Sequence, residues 1–138
     1  MPNDLVFRNA RIIDGSGSPA FEGDVAVSGG RIVSVGEAPA GAREVDAGAQ
    51  VLCPGCVDTH SHDDGAFLVH PGMEFKLAQG VISEISGNCG FSTVPNDPGR
   101  EYMPGDISGP GAGWTDLDSY FEACAARRPA INNAMLVG

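Results

Sequence analysis

The sequence predicts an α/β chain in two parts: a small antiparallel β region, then a parallel sheet flanked by helices. Three observations carry this. Short, β-branched segments separated by turn residues fill the stretch from Leu5 to about Leu52. From Pro54 onward the order becomes strand, helix, strand, helix, strand, the pattern of a parallel sheet with its helices outside. The composition is that of a globular protein, with 138 residues, 42% hydrophobic and 19% charged.

In the first part (residues 1–53), the strands are read at Leu5–Phe7, Arg11–Ile13, Asp24–Ser28, Arg31–Val35 and Glu44–Asp46. Gly29-Gly30 separates Val25-Ala26-Val27 from Arg31-Ile32-Val33, and two glycines supply the positive φ angles of a tight hairpin turn. The region has few large side chains, so its apolar face needs a second layer. Gly15-Ser16-Gly17-Ser18-Pro19-Ala20 matches a Gly-x-Gly-x-x-Ala string, yet Pro19 and the short flanking strands leave no βαβ unit. It reads as a loop, with no cofactor site.

In the second part (54–138), Val57 to His62 alternates apolar and polar, which puts Asp58, His60 and His62 on one face of a strand. A helix follows from Met73 to Gln79, ended by Gly80, and Val81–Ser86 is the next strand. Gly87 to Trp114, rich in Gly, Pro, Asn, Asp and Ser, reads as a long loop at a working end. Thr115 starts the last helix, with Asp118 three residues on as a capping acid. Leu117, Tyr120, Phe121 and Cys124 form its core stripe, and Pro129 stops it. Ile131–Val137 is the third strand.

The net charge of -10 and the scatter of the eight basic residues argue against nucleic acid as a partner. No run approaches the roughly 18 apolar residues of a membrane span, and the N-terminus lacks the pattern of a secretion signal. The expectation is a cytoplasmic protein. Four cysteines, Cys53, Cys56, Cys89 and Cys124, are too unevenly spaced for a secreted disulfide framework, so they are thiols or metal ligands.

Asp58-Thr59-His60-Ser61-His62-Asp63-Asp64 carries the most chemistry. Two imidazoles two residues apart on a strand reach one ion, and acidic neighbours suit the far ring nitrogens. Gly87-Asn88-Cys89-Gly90 follows the second strand, where flanking glycines let the chain turn tightly and expose a thiolate ligand. Parallel strands bring their C-terminal ends to one rim, so His60, His62 and Cys89 are the candidate metal ligands. His70 reads as a loop histidine. A competing reading makes Cys53-Pro54-Gly55-Cys56, with His60 and His62, a non-catalytic zinc or thiol module. Against it, these ligands lie within ten positions, whereas structural sites pair ligands across a longer loop.

Together with Gly29-Gly30-Arg31-Ile32, Pro54-Gly55, Gln79-Gly80-Val81, Phe91-Ser92, Arg128-Pro129 and Asn132 to Gly138, these motifs resemble the start of the amidohydrolase superfamily. Within it, the Gly-Asn-Cys-Gly loop is most similar to the N-acyl-D-amino-acid deacylases. That resemblance implies a zinc-dependent TIM (β/α)8 barrel beside a small β-sandwich-like domain built from both chain ends. It implies His60 and His62 as the paired metal histidines and Cys89 as the cysteine ligand. It implies amide hydrolysis, with Zn2+ activating water and polarising the carbonyl, to give a carboxylate and a D-amino acid. The later histidines and the catalytic aspartate have no counterpart here, so no catalytic residue is assigned. A closed barrel needs roughly 250 residues, and the reading is an N-terminal fragment, inactive alone, that stops after about three barrel strands. A hydrolase of cyclic amides, hydantoinase-like or dihydropyrimidinase-like, is the alternative within the superfamily. Cys56 departs from the pattern, which usually has a large apolar residue there.

Overall fold

The computed structural model describes residues 3–94 and 113–137. It divides into two compact units, Met1–Pro54 and Gly55–Gly138.

The first unit is a five-stranded sheet. Its strands are β1 (Asn3–Ile12), β2 (Phe21–Ser28), β3 (Arg31–Gly36), β4 (Gly41–Asp46) and β5 (Val51–Leu52), in the order β3-β2-β1-β4 with β5 also on β1. The predicted hairpin is present: β2 and β3 pair antiparallel across Gly29 (φ 57°) and Gly30 (φ 72°). The sheet is mixed, however, because β1 pairs in parallel with both β4 and β5. Apolar alternation carries no information on strand direction. That is set by residues 37–40, which return the chain to the start of β1, where Gly41 stands opposite Asn3.

The two expected strands at Leu5–Phe7 and Arg11–Ile13 are one strand with a bulge. Asn9 takes a left-handed φ of 55° there. Its N–H donates to Asp24 Oδ1 (3.0 Å) and its carbonyl accepts from Ala49 N–H (2.8 Å), so the turn-forming residues leave no backbone group orphaned. Val6, Ala10, Ile12, Val25 and Ala26 are buried, while Ile32, Val33 and Val35 on β3 are exposed. The core is thin, as the shortage of large side chains predicts.

The second unit has three parallel strands in the order β6 (Cys56–Asp58), β7 (Val81–Ser86), β8 (Asn132–Met135). Between β6 and β7 lie two single-turn helices, α1 (Ala66–Val69) and α2 (Glu74–Leu77). The expected helix over Met73–Gln79 is shortened because Met73 sits at φ 46° and breaks the turn. Gly80 closes it at φ 78°, its N–H donating to the Leu77 carbonyl at 2.9 Å.

The third helix, α3 (Leu117–Arg127), has its cap one residue later than the predicted Thr115. Asp116 is the N-cap: its carboxylate accepts from Ser119 N–H (2.8 Å), and Ser119 Oγ accepts from Asp116 N–H (3.2 Å). A serine in place of glutamate at the third position completes the reciprocal box, so Asp118 is left to favour the helix dipole. Arg128 leaves the helix at φ 55°, and Pro129 follows. The predicted stripe is core: Tyr120 and Cys124 are buried with Phe67, Leu68, Met73, Val94, Trp114 and Ile131, and Leu117 and Phe121 pack against them. Each such large apolar side chain contributes roughly 1.5–3 kcal/mol. The third strand is shorter than Ile131–Val137, ending at Met135. The middle of the predicted long loop, residues 95–112, lies outside the described residues, as does Gly138. Among the described residues no helix is long and apolar enough to cross a membrane.

Candidate metal centre

β6 and β7 run parallel, so the segments leaving their C-terminal ends meet at one rim. His60 and His62 follow β6, and Cys89 follows β7. The predicted strand through His62 stops at Asp58, because Asp58 Oδ1 takes the His60 N–H (3.1 Å) that a continued ladder would direct to β7. Pairing resumes once, from Ser61 N–H to the Ile85 carbonyl (3.3 Å). The alternation does not carry through the end of the strand: Asp58, expected on the face of the two histidines, turns to Lys76 with Ser61 and Asp63, while His60 and His62 are exposed together on either side of buried Ser61.

Cys89 sits in a single 3₁₀ turn, Asn88–Gly90. Gly87 (φ 74°), Cys89 (φ 60°) and Gly90 (φ 75°) are all left-handed. Gly87 has no room for a side chain, since a Cβ there would collide with the Leu136 carbonyl. A cysteine held at positive φ costs about 1–2 kcal/mol, and the result is an exposed thiol aimed at the histidines. Its Sγ lies 3.2 Å from His60 Nε2. One donor atom each from His60, His62 and Cys89 falls within 4.8 Å of the others. Donors of a tetrahedral zinc stand roughly 3.3–3.6 Å apart, given bonds near 2.0–2.3 Å, and two imidazoles with a thiolate are a borderline-soft set that suits zinc. The residues fit such an ion. His62 also packs edge-on against Phe91, with ring centroids 6.1 Å apart.

The other cysteines stand apart from this group. Cys56 is at the N-terminal start of β6, the opposite end from the histidines, and among the described residues the metal-capable cluster contains neither Cys53 nor Cys56. Cys124 is buried in the core, and burial pushes its thiol up, away from thiolate chemistry. His70 caps α1 and is exposed.

The acidic neighbours do something other than hold imidazole nitrogens. Asp58 Oδ2 (2.7 Å), Asp63 Oδ2 (2.8 Å) and Glu84 Oε2 (3.1 Å) all surround the Nζ of Lys76, a residue 7% exposed, with Ser61 Oγ at 3.0 Å. The hydrogen bond from Lys76, then that from His60 N–H, holds the Asp58 carboxyl below its ordinary range. Burial alone would lower the Lys76 ammonium, yet the bonds to Asp58, Asp63 and Glu84 outweigh it and raise the group. Glu84, buried in the middle of β7, is pushed up by desolvation despite Lys76. Asp64 spans the two ligand segments differently. Its carboxylate accepts from Gly87 N–H (3.3 Å) and Thr93 N–H (3.2 Å), and its carbonyl accepts from Tyr120 OH (2.8 Å). Asn88 Nδ2 donates to the carbonyls of Ser61 (3.1 Å) and Ile85 (2.8 Å). Motif reading passed over Lys76, Glu84 and Asn88. The available signal was Glu84 itself, a charge inside a parallel strand, which calls for a buried cation.

Paired histidines and a thiol at the C-terminal rim of parallel strands define a class of metal-site architecture, and relatives carry it further. No family model matches the chain. Over 98% of its length it is 42% identical to N-acyl-D-glutamate deacylase of Alcaligenes xylosoxydans xylosoxydans, and over 99% it is 34% identical to D-aminoacylase of the same organism. Among solved structures, N-acyl-D-glutamate deacylase of Bordetella bronchiseptica, complexed with zinc and a phosphonate mimic of the tetrahedral intermediate, matches all of the chain with a TM-score of 0.82 at 34% identity. A D-aminoacylase described as defining a novel subset of amidohydrolases matches 99% of it at 0.86 and 35%. The chain is therefore homologous, along nearly its whole length, to the D-aminoacylase group of amidohydrolases. It spans only 28–30% of the length of these relatives.

Proposed function

We propose that the chain is part of a zinc-dependent hydrolase that cleaves the amide bond of N-acyl-D-amino acids, releasing a carboxylate and a D-amino acid. The observation that carries this is the convergence of His60, His62 and Cys89 at one rim in a chain homologous to deacylases of that substrate class. In this reading the three β/α strands are the start of a (β/α)8 barrel, the sheet unit is a separate small β domain, and the working protein is cytoplasmic.

His60, His62 and Cys89 would hold the ion. When bound, zinc supplies a Lewis acid for the amide carbonyl and makes water nucleophilic near neutral pH. The chain's own contribution is positional. The left-handed turn at Cys89 presents the thiolate, Phe91 packs on the outer edge of His62, and Asn88 ties the two ligand-bearing segments through Ser61. Cleavage needs further groups for proton transfer, so the 138 residues alone are expected to be inactive.

The test is hydrolysis of N-acetyl-D- and N-acetyl-L-amino acids, and of a hydantoin, by the longest polypeptide that contains the chain. D-selective deacylation lost on chelation and restored by zinc supports the reading. Hydantoin opening without deacylation favours the cyclic-amide alternative, and no metal-dependent hydrolysis at all sinks both.

A further inference from the structure

We infer that Lys76 is a positioning residue of the metal centre, its buried ammonium fastening the His60–His62 segment to the neighbouring strand. This rests on the metal-centre reading above and adds to it a residue that is not itself a ligand.

Lys76 comes from α2, and its four partners come from two places. Asp58, Ser61 and Asp63 precede, separate and follow the two histidines in the chain, at 2.7, 3.0 and 2.8 Å from Nζ, while Glu84 is the middle of β7, at 3.1 Å. The inward residues of this segment therefore close on one cation, and the outward residues are the ligands. Asp58 links the two directly: one carboxylate oxygen accepts from Lys76 and the other from the His60 N–H. β6 has ended at Asp58, so past it the ladder to β7 fixes this backbone at one point alone among the described residues, the Ser61 N–H on the Ile85 carbonyl. A point charge with several acceptors can do so instead, because each bond to an ion is shorter and stronger than a neutral one.

Glu84 shows that the arrangement is centred on Lys76. The carboxylate has no side-chain exposure, and among the described residues its Oε1 has no hydrogen-bond partner. Its Oε2 lies 3.1 Å from Nζ and forms an ion pair with it. A buried acid that depends on one counter-ion is costly, and the counter-ion Glu84 has is the ammonium that also meets Asp58 and Asp63 on either side of the histidines.

The experiment is cobalt(II) binding, by chelator competition and by the thiolate-to-cobalt charge-transfer and d–d bands, in the longest polypeptide that contains the chain. Lys76→Met strands Glu84, so the informative variant is Lys76→Met combined with Glu84→Met, which removes both buried charges. The expected result is a folded double variant by circular dichroism, with cobalt affinity down about 10–100-fold and shifted d–d bands, and partial recovery of both in Lys76→Arg. A folded double variant with wild-type affinity and bands would overturn the proposal. So would failure of the double variant to fold, since Lys76 would then serve the fold and not the ligands. Failure of the underlying reading is seen separately, as a wild-type chain with no thiolate band and a Cys89→Ala variant that binds cobalt equally well.

Discussion

The two units each gather several carboxylates around one cation, and they do so in opposite settings. In the sheet unit, Arg8 bridges Asp24 (2.7 Å) and Glu44 (2.6 Å) at the surface, where all three side chains keep a fifth or more of their exposure. In the β/α unit, Lys76 meets Asp58, Asp63 and Glu84 with 9% of its side chain exposed and none of Glu84's. Water screens the first cluster, so its ion pairs contribute little, while the second has given up hydration and depends on its partners. The same residue types decorate the surface of one unit and, in the other, close around the His60–His62 segment.

The largest effect that would break this comparison is a strong response at the buried cation. Lys76→Met leaves carboxylates without a counter-ion and is expected to cost about 3–5 kcal/mol in chemical denaturation, with hydrogen exchange rising in β6 and β7. Gly87→Ala comes next. A side chain at that left-handed position collides with the Leu136 carbonyl, so a loss of roughly 2–3 kcal/mol and weaker zinc retention are expected, read by denaturation and by metal analysis after dialysis. Tyr120→Phe removes the buried hydroxyl that donates to the Asp64 carbonyl and accepts from Asn133 Nδ2, and should cost about 1–2 kcal/mol.

The smallest effect is expected at the exposed cation. Arg8→Met should shift the denaturation midpoint slightly at low salt, less at high salt, and leave metal content unchanged. Acid sharpens the contrast. Hydrogen bonds from Arg8 hold Asp24 and Glu44 below their ordinary carboxylate range, so the unfolded chain takes up protons before the folded one. Their contribution is complete above about pH 5 and fades as the pH falls through 4 and below. Arg8→Met should flatten that part of the acid-unfolding curve.

What could be read from residue types alone divides along physical lines. Gly29-Gly30 announced its hairpin because few other residues tolerate two positive φ angles in succession. That His60 and His62 share a facing was legible from their spacing about Ser61, and the turn at Cys89 from its flanking glycines, but the departure of Asp58 from that face was not, because the strand ends there. Strand direction was not legible: β4 alternates as an antiparallel strand would, and only the short return through residues 37–40 makes it parallel to β1. Nor was the bulge at Asn9, whose turn-forming character was read as a break when Asp24 and Ala49 absorb it. The buried cation escaped because its partners lie up to 18 positions away in sequence, on two strands and the loop that follows the first, and no local pattern joins them.

The central claim is that Cys89, with His60 and His62, is the third ligand of a zinc site. Its most direct test is zinc per chain after dialysis in Cys89→Ala and Cys53→Ala variants of the longest polypeptide that contains the chain. The account predicts zinc retained near wild-type stoichiometry in Cys53→Ala and its affinity reduced beyond the roughly 10–100-fold typical of supporting residues in Cys89→Ala. Full zinc in Cys89→Ala with loss in Cys53→Ala would contradict it and assign the metal to the Cys53–Cys56 segment instead.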